Sequence, residues 1–319
     1  MIRVYRSGCT ACEASIVDPA DWSMPPDTLW IDLINPTRQE DAAVERALGL
    51  AVPTREEMGE LEASSRVYRE NGATYATADL ITHGDDALPG LEPVTFVLTD
   101  GPLVTVRYTD PRPFAMMIDK LGREPALCTS GADMFLNLME AVIDRNSDVL
   151  SRNGARVEGI AGHVFSGGRA VGFDKLITKL GQAQMASARI EQSLAGLLRI
   201  FAFVGMDERV DTDEARSHLR SLGRDADSLI AHNQSVAIAI NFQLSAALGL
   251  INIEQSSIIK IFSVAAVAFL PPTLIASIYG MNFEHMPELP QPWAYPAAVA
   301  AMVVSAILPL AWFKRKGWL

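Results

Sequence analysis

The sequence predicts an α+β domain, then a long stalk helix and two C-terminal transmembrane helices. Three observations predict this. Strand-forming runs lie before Gly131 and nearly vanish after it. Between Asp211 and Ile278 no Pro occurs until Pro271, and the only Gly residues are Gly223 and Gly249. Two uncharged apolar runs, IFSVAAVAFLPPTLIASIY (261–279) and WAYPAAVAAMVVSAILPLAWF (293–313), raise the mean hydropathy of the 319-residue chain to +0.15.

In the N-terminal part, strands are predicted over 28–33, 66–69, 73–82, 94–99 and 103–108. Asp100-Gly101 between the last two is a hairpin signal. The turn-rich stretch 83–93 separates that hairpin from the earlier strands. Helices are predicted over 37–48 and 54–62; in the first, Thr37 with Glu40 three residues on forms a capping box. Helical spacing without internal Pro continues over 132–161 and 172–203. The stretch 211–278, taken as one helix, spans about 100 Å at 1.5 Å per residue. That is too long for a globular element and reads as a stalk in a bundle or oligomer.

The two apolar runs have 19 and 21 residues, near the roughly 20 a helix needs to cross a bilayer. Paired core helices are the alternative. Lys260 precedes the first run and Lys314, Arg315 and Lys316 follow the second, whereas the link between them holds no Lys or Arg. Positive charge on the outer ends places both termini in the cytoplasm. Trp293, Tyr295, Trp312 and Trp318 suit the interfaces, and residues 1–20 show no signal-peptide core. The expected boundaries are an α/β cytoplasmic domain at 1–130, cytoplasmic helices at 131–210, a stalk at 211–260, a first span at 261–281, a periplasmic loop at 282–292, a second span at 293–313 and a basic tail at 314–319.

Within the first span and just before it, Ser256, Ser263, Leu270 and Ser277 recur every seven residues, with Thr273 nearby. Lipid tails give serine no reward, so this stripe points to a helix partner or to a water-filled axis. Pro271-Pro272 should bend the helix and free carbonyls that need water or Ser/Thr partners.

Charge excludes several functions. The net charge is −11, from 27 Lys+Arg against 38 Asp+Glu. Four bases against two acids in residues 260–319 make a local +2, leaving −13 on the rest. Such a chain is not a general nucleic-acid binder. Three Cys make no disulfide framework. Cys9-x-x-Cys12 lacks a second pair, the five His are scattered, and Gly167-Gly168 lacks the Lys-Ser/Thr of a phosphate-binding loop. No catalytic set is present, and an enzyme is not expected.

After the first span stands Tyr279-Gly280-Met281-Asn282. Together with INIEQ (251–255), IIKIFSV (258–264), FLPPTLIASIYGMNFEHMPEL (269–289) and the closing FKRKGWL, it resembles the CorA family of magnesium transporters, in its enterobacterial type. The resemblance implies a funnel-shaped homopentamer in the bacterial inner membrane. Each subunit would give one pore helix lined by Ser256, Ile259, Ser263, Leu270, Thr273 and Ser277, with Gly280, Met281 and Asn282 as the selectivity filter. It implies influx of divalent cations, chiefly Mg²⁺ with Co²⁺ and Ni²⁺. One departure stands out: the position after Gln255, often Asn in the family, is Ser256 here, which shortens the reach of a lower polar ring.

Mg²⁺ is small, octahedral and slow to dehydrate. A ring of Asn282 amides would accept hydrogen bonds from metal-bound water without the trapping that a carboxylate ring brings. Glu284 and Glu288 in the loop would concentrate cations. Asp85, Asp86, Asp225 and Asp227 are the candidate carboxylates for a regulatory Mg²⁺ that holds the pore shut, with plain surface charge as the alternative. The competing functions are a Zn²⁺ transporter of the same superfamily and a membrane-anchored oligomeric scaffold that transports nothing.

Overall fold

The computed structural model describes residues 1–7, 22–60, 62–165, 172–282, 286–288 and 290–317. The Cys9/Cys12 pair, Gly167-Gly168, Glu284, His285 and Trp318 lie outside the described residues. The chain divides into two compact units, Met1–Leu244 and Ser245–Leu319.

Among the described residues the first unit holds six strands: β1 (Ile2–Arg6), β2 (Thr28–Ile34), β3 (Val67–Glu70), β4 (Ala73–Thr82), β5 (Gly90–Leu98) and β6 (Leu103–Arg107). They form one sheet in the order β1-β2-β6-β5-β4-β3. Only β2 and β6 run parallel, with Asp32 opposite Thr105; the other neighbours are antiparallel. β4 and β6 are buried along nearly their whole length, as expected for strands covered on both faces.

Period-2 alternation divides those residues between two layers. Ile31, Leu33, Val104, Val106, Val97 and Tyr75 form a core with Ala43 and Val44 of α1 (Arg38–Leu48) and Met58 of α2 (Arg55–Met58). On the other face Trp30 meets Phe114 of α4 (Arg112–Arg123), and Phe96 meets Phe135 of α5 (Gly131–Phe165) edge-on at 5.9 Å between centroids. A one-turn helix, α3 (Ala63–Arg66), leads into β3. α6 (Phe173–Val204) packs on α5 and on β4.

The predicted capping box is present. Thr37 N donates to Glu40 Oε2 at 2.7 Å, and Glu40 N donates to Thr37 Oγ1 at 3.4 Å. α1 ends at Gly49, whose φ of 69° suits a residue without a Cβ. The helix expected over 54–62 is cut to one turn by Gly59. The 83–93 stretch is less irregular than predicted: Thr82 pairs with Gly90, so β4 and β5 form a long hairpin closed by 83–89. The Asp100-Gly101 hairpin uses a four-residue loop. Pro102 has no N–H for the ladder, and Thr99 Oγ1 ties the turn by accepting from Gly101 N at 3.1 Å.

After the 3₁₀ turn Glu208–Val210, helix α7 runs unbroken from Asp213 to Tyr279, 67 residues. Within the first unit, buried amides link it to its neighbours. Asn233 Nδ2 donates to Ser187 O at 3.0 Å and Gln243 Nε2 donates to Val157 O at 3.2 Å, while Asn153 Nδ2 of α5 donates to Ala183 O of α6 at 3.0 Å. Such groups specify register, since a slipped helix would leave them unpaired in the core.

The second unit holds the last part of α7 and α8 (Ala294–Arg315). Both helices are long and apolar enough to cross a membrane. The backbone stays helical through Pro271-Pro272. The nearest Ser/Thr hydroxyl, Thr273 Oγ1, donates to Phe269 O at 2.7 Å and not to a freed carbonyl. That is one carbonyl beyond Val267 and Ala268, the two that the prolines leave without an N–H.

Candidate functional site

The expected pore face is a property of α7. At about 100° per residue, Ser256, Ser263, Leu270 and Ser277 drift slowly round the helix and stay on one side. Ser256, Ile259, Ser263, Leu270, Thr273 and Ser277 are all exposed in the single chain. The covered positions of this span are Val264 and Ala268, each 7% exposed, with Ala265, Pro271, Pro272 and Ile275 half-buried. These centre about 150° round the helix from the serine stripe at that pitch. The polar stripe is thus on the side that the chain itself leaves uncovered.

The stripe leads to the end of the helix. Gly280 N donates to Ala276 O at 2.9 Å, and Met281 N donates to Ile278 O at 3.3 Å. Gly280 keeps an ordinary φ, since its φ is not among the positive ones. A Cβ there would lie 3.1 Å from Ala276 O, a tight contact that a shift of a few tenths of an ångström relieves. The backbone leaves the helix at once, and Met281 and Asn282 are exposed. Of the loop acids, Glu288 is exposed and accepts from Gln291 N through its backbone carbonyl at 3.1 Å.

The four aspartates do not come together. Asp225 and Asp227 are exposed on α7. Asp86 is exposed in the β4–β5 loop. Asp85 is paired with arginines: Arg152 Nη1 lies at 3.0 Å, Arg145 Nη2 at 3.2 Å and Arg112 Nη1 at 3.3 Å from its carboxylate. The Arg145 hydrogen bond and these three charges keep its carboxyl below the usual carboxylate range. Among the described residues no three His, Cys, Asp or Glu side chains are grouped to hold a metal.

One acidic group was not singled out from the sequence. Glu140, Asp144 and Asp148 recur every four residues on α5. The Asp144 carboxyl is pushed up by burial, then by the charges of Glu140, Asp148 and Asp225. The i, i+4, i+8 spacing was the available signal.

Comparison with known proteins decides the family. The family model described as "CorA-like Mg2+ transporter protein" matches residues 26–315. This chain belongs to the CorA family. Relatives named magnesium transport protein CorA in Yersinia pseudotuberculosis and Haemophilus influenzae are each 32% identical. The first alignment covers 92% of this chain and 92% of the relative, the second 91% and 92%. The complete structure of a CorA magnesium transporter from Methanocaldococcus jannaschii superposes with a TM-score of 0.79 over 100% of this chain and 99% of that one, at 18% identity. That likeness carries the fold: a CorA α/β unit, the long α7 and a second apolar helix. The Gly280-Met281-Asn282 motif lies inside the matched region.

Proposed function

We propose that this chain assembles as a homopentamer in a bacterial inner membrane, with both termini cytoplasmic, and conducts Mg²⁺ inward, with Co²⁺ and Ni²⁺ as further cargo. The observation that carries the reading is the exposed serine stripe of α7, with the exposed Asn282 three residues past the helix end. A polar stripe on an apolar helix is costly against lipid and is favoured where it meets water or a partner helix. Five copies around an axis would give it both.

In that assembly the Ser256, Ser263 and Ser277 hydroxyls and the Thr273 oxygen would accept from the water shell of the ion. Ile259 and Leu270 would narrow the path without binding it. Asn282 amide oxygens at the mouth would select a hydrated dication, since neutral oxygens hold metal-bound water without stripping it. Glu284 and Glu288 would raise the local cation concentration. The drive is electrical: a dication gains about 4.6 kcal/mol per 100 mV, roughly a 2,000-fold accumulation.

Such a drive calls for a brake. We assign it to internal Mg²⁺ bound by acidic side chains of more than one subunit, with Asp225, Asp227 and Asp86 as contributors and Asp85 set aside because of its arginines. What supports this is the repulsive environment of Asp144 beside Asp225, which a bound dication would relieve.

The test is ion entry into liposomes bearing the purified protein, comparing Mg²⁺, Co²⁺, Ni²⁺ and Zn²⁺. Mg²⁺ entry above that of empty liposomes is expected. Entry of Zn²⁺ alone would favour a zinc transporter, and entry of none would favour a scaffold.

A further inference from the structure

The β4–β5 loop lies in a cluster of guanidiniums that the transport reading does not use. Arg112 of α4 and Arg145 and Arg152 of α5 converge on Asp85. One turn further along α5, Arg156 Nη1 donates to Ala87 O at 2.9 Å. Arg189 of α6 donates to Pro89 O. The loop is drawn onto α5 at Gly84, where a Cβ would meet Val149 Cγ2 at 2.6 Å and Arg145 Nη2 at 2.9 Å. That close approach sets Asp85 among the arginines.

We propose that this cluster is a binding site for a phosphate-class oxyanion, with Asp85 as its resident and displaceable occupant. The charge balance comes first. Arg112, Arg145 and Arg152 face one carboxylate, so two positive charges remain, in a domain whose surplus is strongly negative. Arg stays charged at any relevant pH. The Arg145 side chain is only 4% exposed, and its Nε and Nη1 have no hydrogen-bond partner. Its buried charge therefore rests on the single contact to Asp85, an arrangement that a richer acceptor improves.

Access and contact quality come next. The Asp85 and Arg112 side chains are each 59% exposed and that of Arg152 is 42% exposed, so the carboxylate leaves without opening the core. Its three contacts, 3.0 to 3.3 Å, are longer than the roughly 2.7–2.9 Å of tight charge-assisted pairs. The two exposed pairs, with Arg112 and Arg152, contribute little; the contact to buried Arg145 is the one an incoming oxyanion must replace. A phosphate group carries about two charges near neutral pH and more acceptor oxygens than a carboxylate, which lets it meet three guanidiniums at once. Free orthophosphate and the terminal phosphate of a nucleotide share this chemistry.

The test is calorimetric titration of the full-length protein in detergent micelles with EDTA present, using orthophosphate and, separately, ATP. Saturable binding of at least one of them is expected, and which one binds identifies the source. Arg112→Gln and Arg152→Gln, both at exposed side chains, should each weaken it by about fivefold or more. Asp85→Asn, which removes the internal competitor, should tighten it about tenfold. If Asp85→Asn does not fold, the two arginine variants decide. The proposal is overturned if neither probe binds the wild type, if the arginine variants bind as the wild type does, or if a folded Asp85→Asn gains no affinity. Mg²⁺ binding lost in Asp85→Asn would overturn it too.

Discussion

Arg107 Nη2 lies 2.9 Å from Asp32 Oδ2 across the parallel β2–β6 pair, with both side chains almost completely buried. Thr105 Oγ1 also donates to Asp32 Oδ1 at 2.8 Å, and Trp30 Nε1 donates to Thr105 Oγ1 at 2.9 Å. The Arg107 guanidinium sits over the Phe114 ring at 4.4 Å. The network joins the parallel β2–β6 step of the sheet to α4. Asp32→Ala should lower stability by about 3 kcal/mol, because it removes the buried counter-charge of Arg107 and leaves only the exposed Asp110 carboxylate, 2.6 Å from Nη1. The apolar double variant Asp32→Leu with Arg107→Met should recover much of that loss. Denaturant unfolding of the detergent-solubilised protein checks both.

Asp41 in the first turn of α1 gives a pH-dependent prediction. Burial, then the charges of Glu45 and Glu40, push its carboxyl up to about 6. Its Oδ1 is buried without a hydrogen-bond partner. A carboxyl raised above its unfolded value of 3.8 destabilises the fold when ionised. The penalty is absent below that value, grows as pH rises towards 6 and is complete above it. Asp41→Asn should therefore stabilise the protein at pH 7.5 by about 1 kcal/mol, after discounting for solvent screening. The gain should disappear near pH 4. Thermal midpoints measured across that range check the sign.

Asp207, at the corner between α6 and α7, behaves in the opposite sense. Burial alone would raise its carboxyl, but the Thr74 hydroxyl, the Arg209 N–H and the Arg209 and Arg69 charges hold it low. Arg209 Nη1 lies 3.1 Å from Oδ1. A depressed carboxyl contributes stability above its unfolded pKa and loses it as pH falls through the folded one. Asp207→Asn should cost about 1.5–3 kcal/mol at pH 7, and the difference from wild type should shrink on acidification. The same unfolding assay at two pH values tests it.

What was legible in the sequence was what depends on local periodicity. The unbroken α7 followed from a long stretch without Pro, and the Thr37 cap from its partner Glu40 three residues on. The exposed stripe of α7 was readable because seven residues nearly close two turns. β1 and α4 were not foreseen, since a five-residue edge strand and a helix opening Arg112-Pro113 carry weak local signals. The role of Asp85 was hidden for a different reason. Its partners lie 27, 60 and 67 residues later in the chain, and only the fold brings them to the β4–β5 loop. In sequence, Asp85-Asp86 is an acidic pair in a turn; in the fold, Asp85 is the minority charge in a basic cluster.

Ser256→Asn should restore a longer amide at the lower end of the stripe. We expect the oligomer to assemble and Mg²⁺ flux to stay within about twofold of wild type, with Co²⁺ and Ni²⁺ entry reduced relative to Mg²⁺, because an amide reaches further into the hydrated path. Size-exclusion chromatography with flux measurement checks it. Loss of assembly would place Ser256 at a helix contact.

The most direct measurement is Mg²⁺ uptake by liposomes under an inside-negative potential, comparing wild type with Asn282→Ala at matched oligomer content. This amide is exposed three residues past the end of α7, beyond Ser277, the last serine of the stripe. The account predicts uptake by wild type well above empty liposomes and rising with the imposed potential, and at least a tenfold loss, about 1.4 kcal/mol, in Asn282→Ala. Wild-type uptake no greater than that of empty liposomes, or Asn282→Ala uptake equal to wild type, would contradict it.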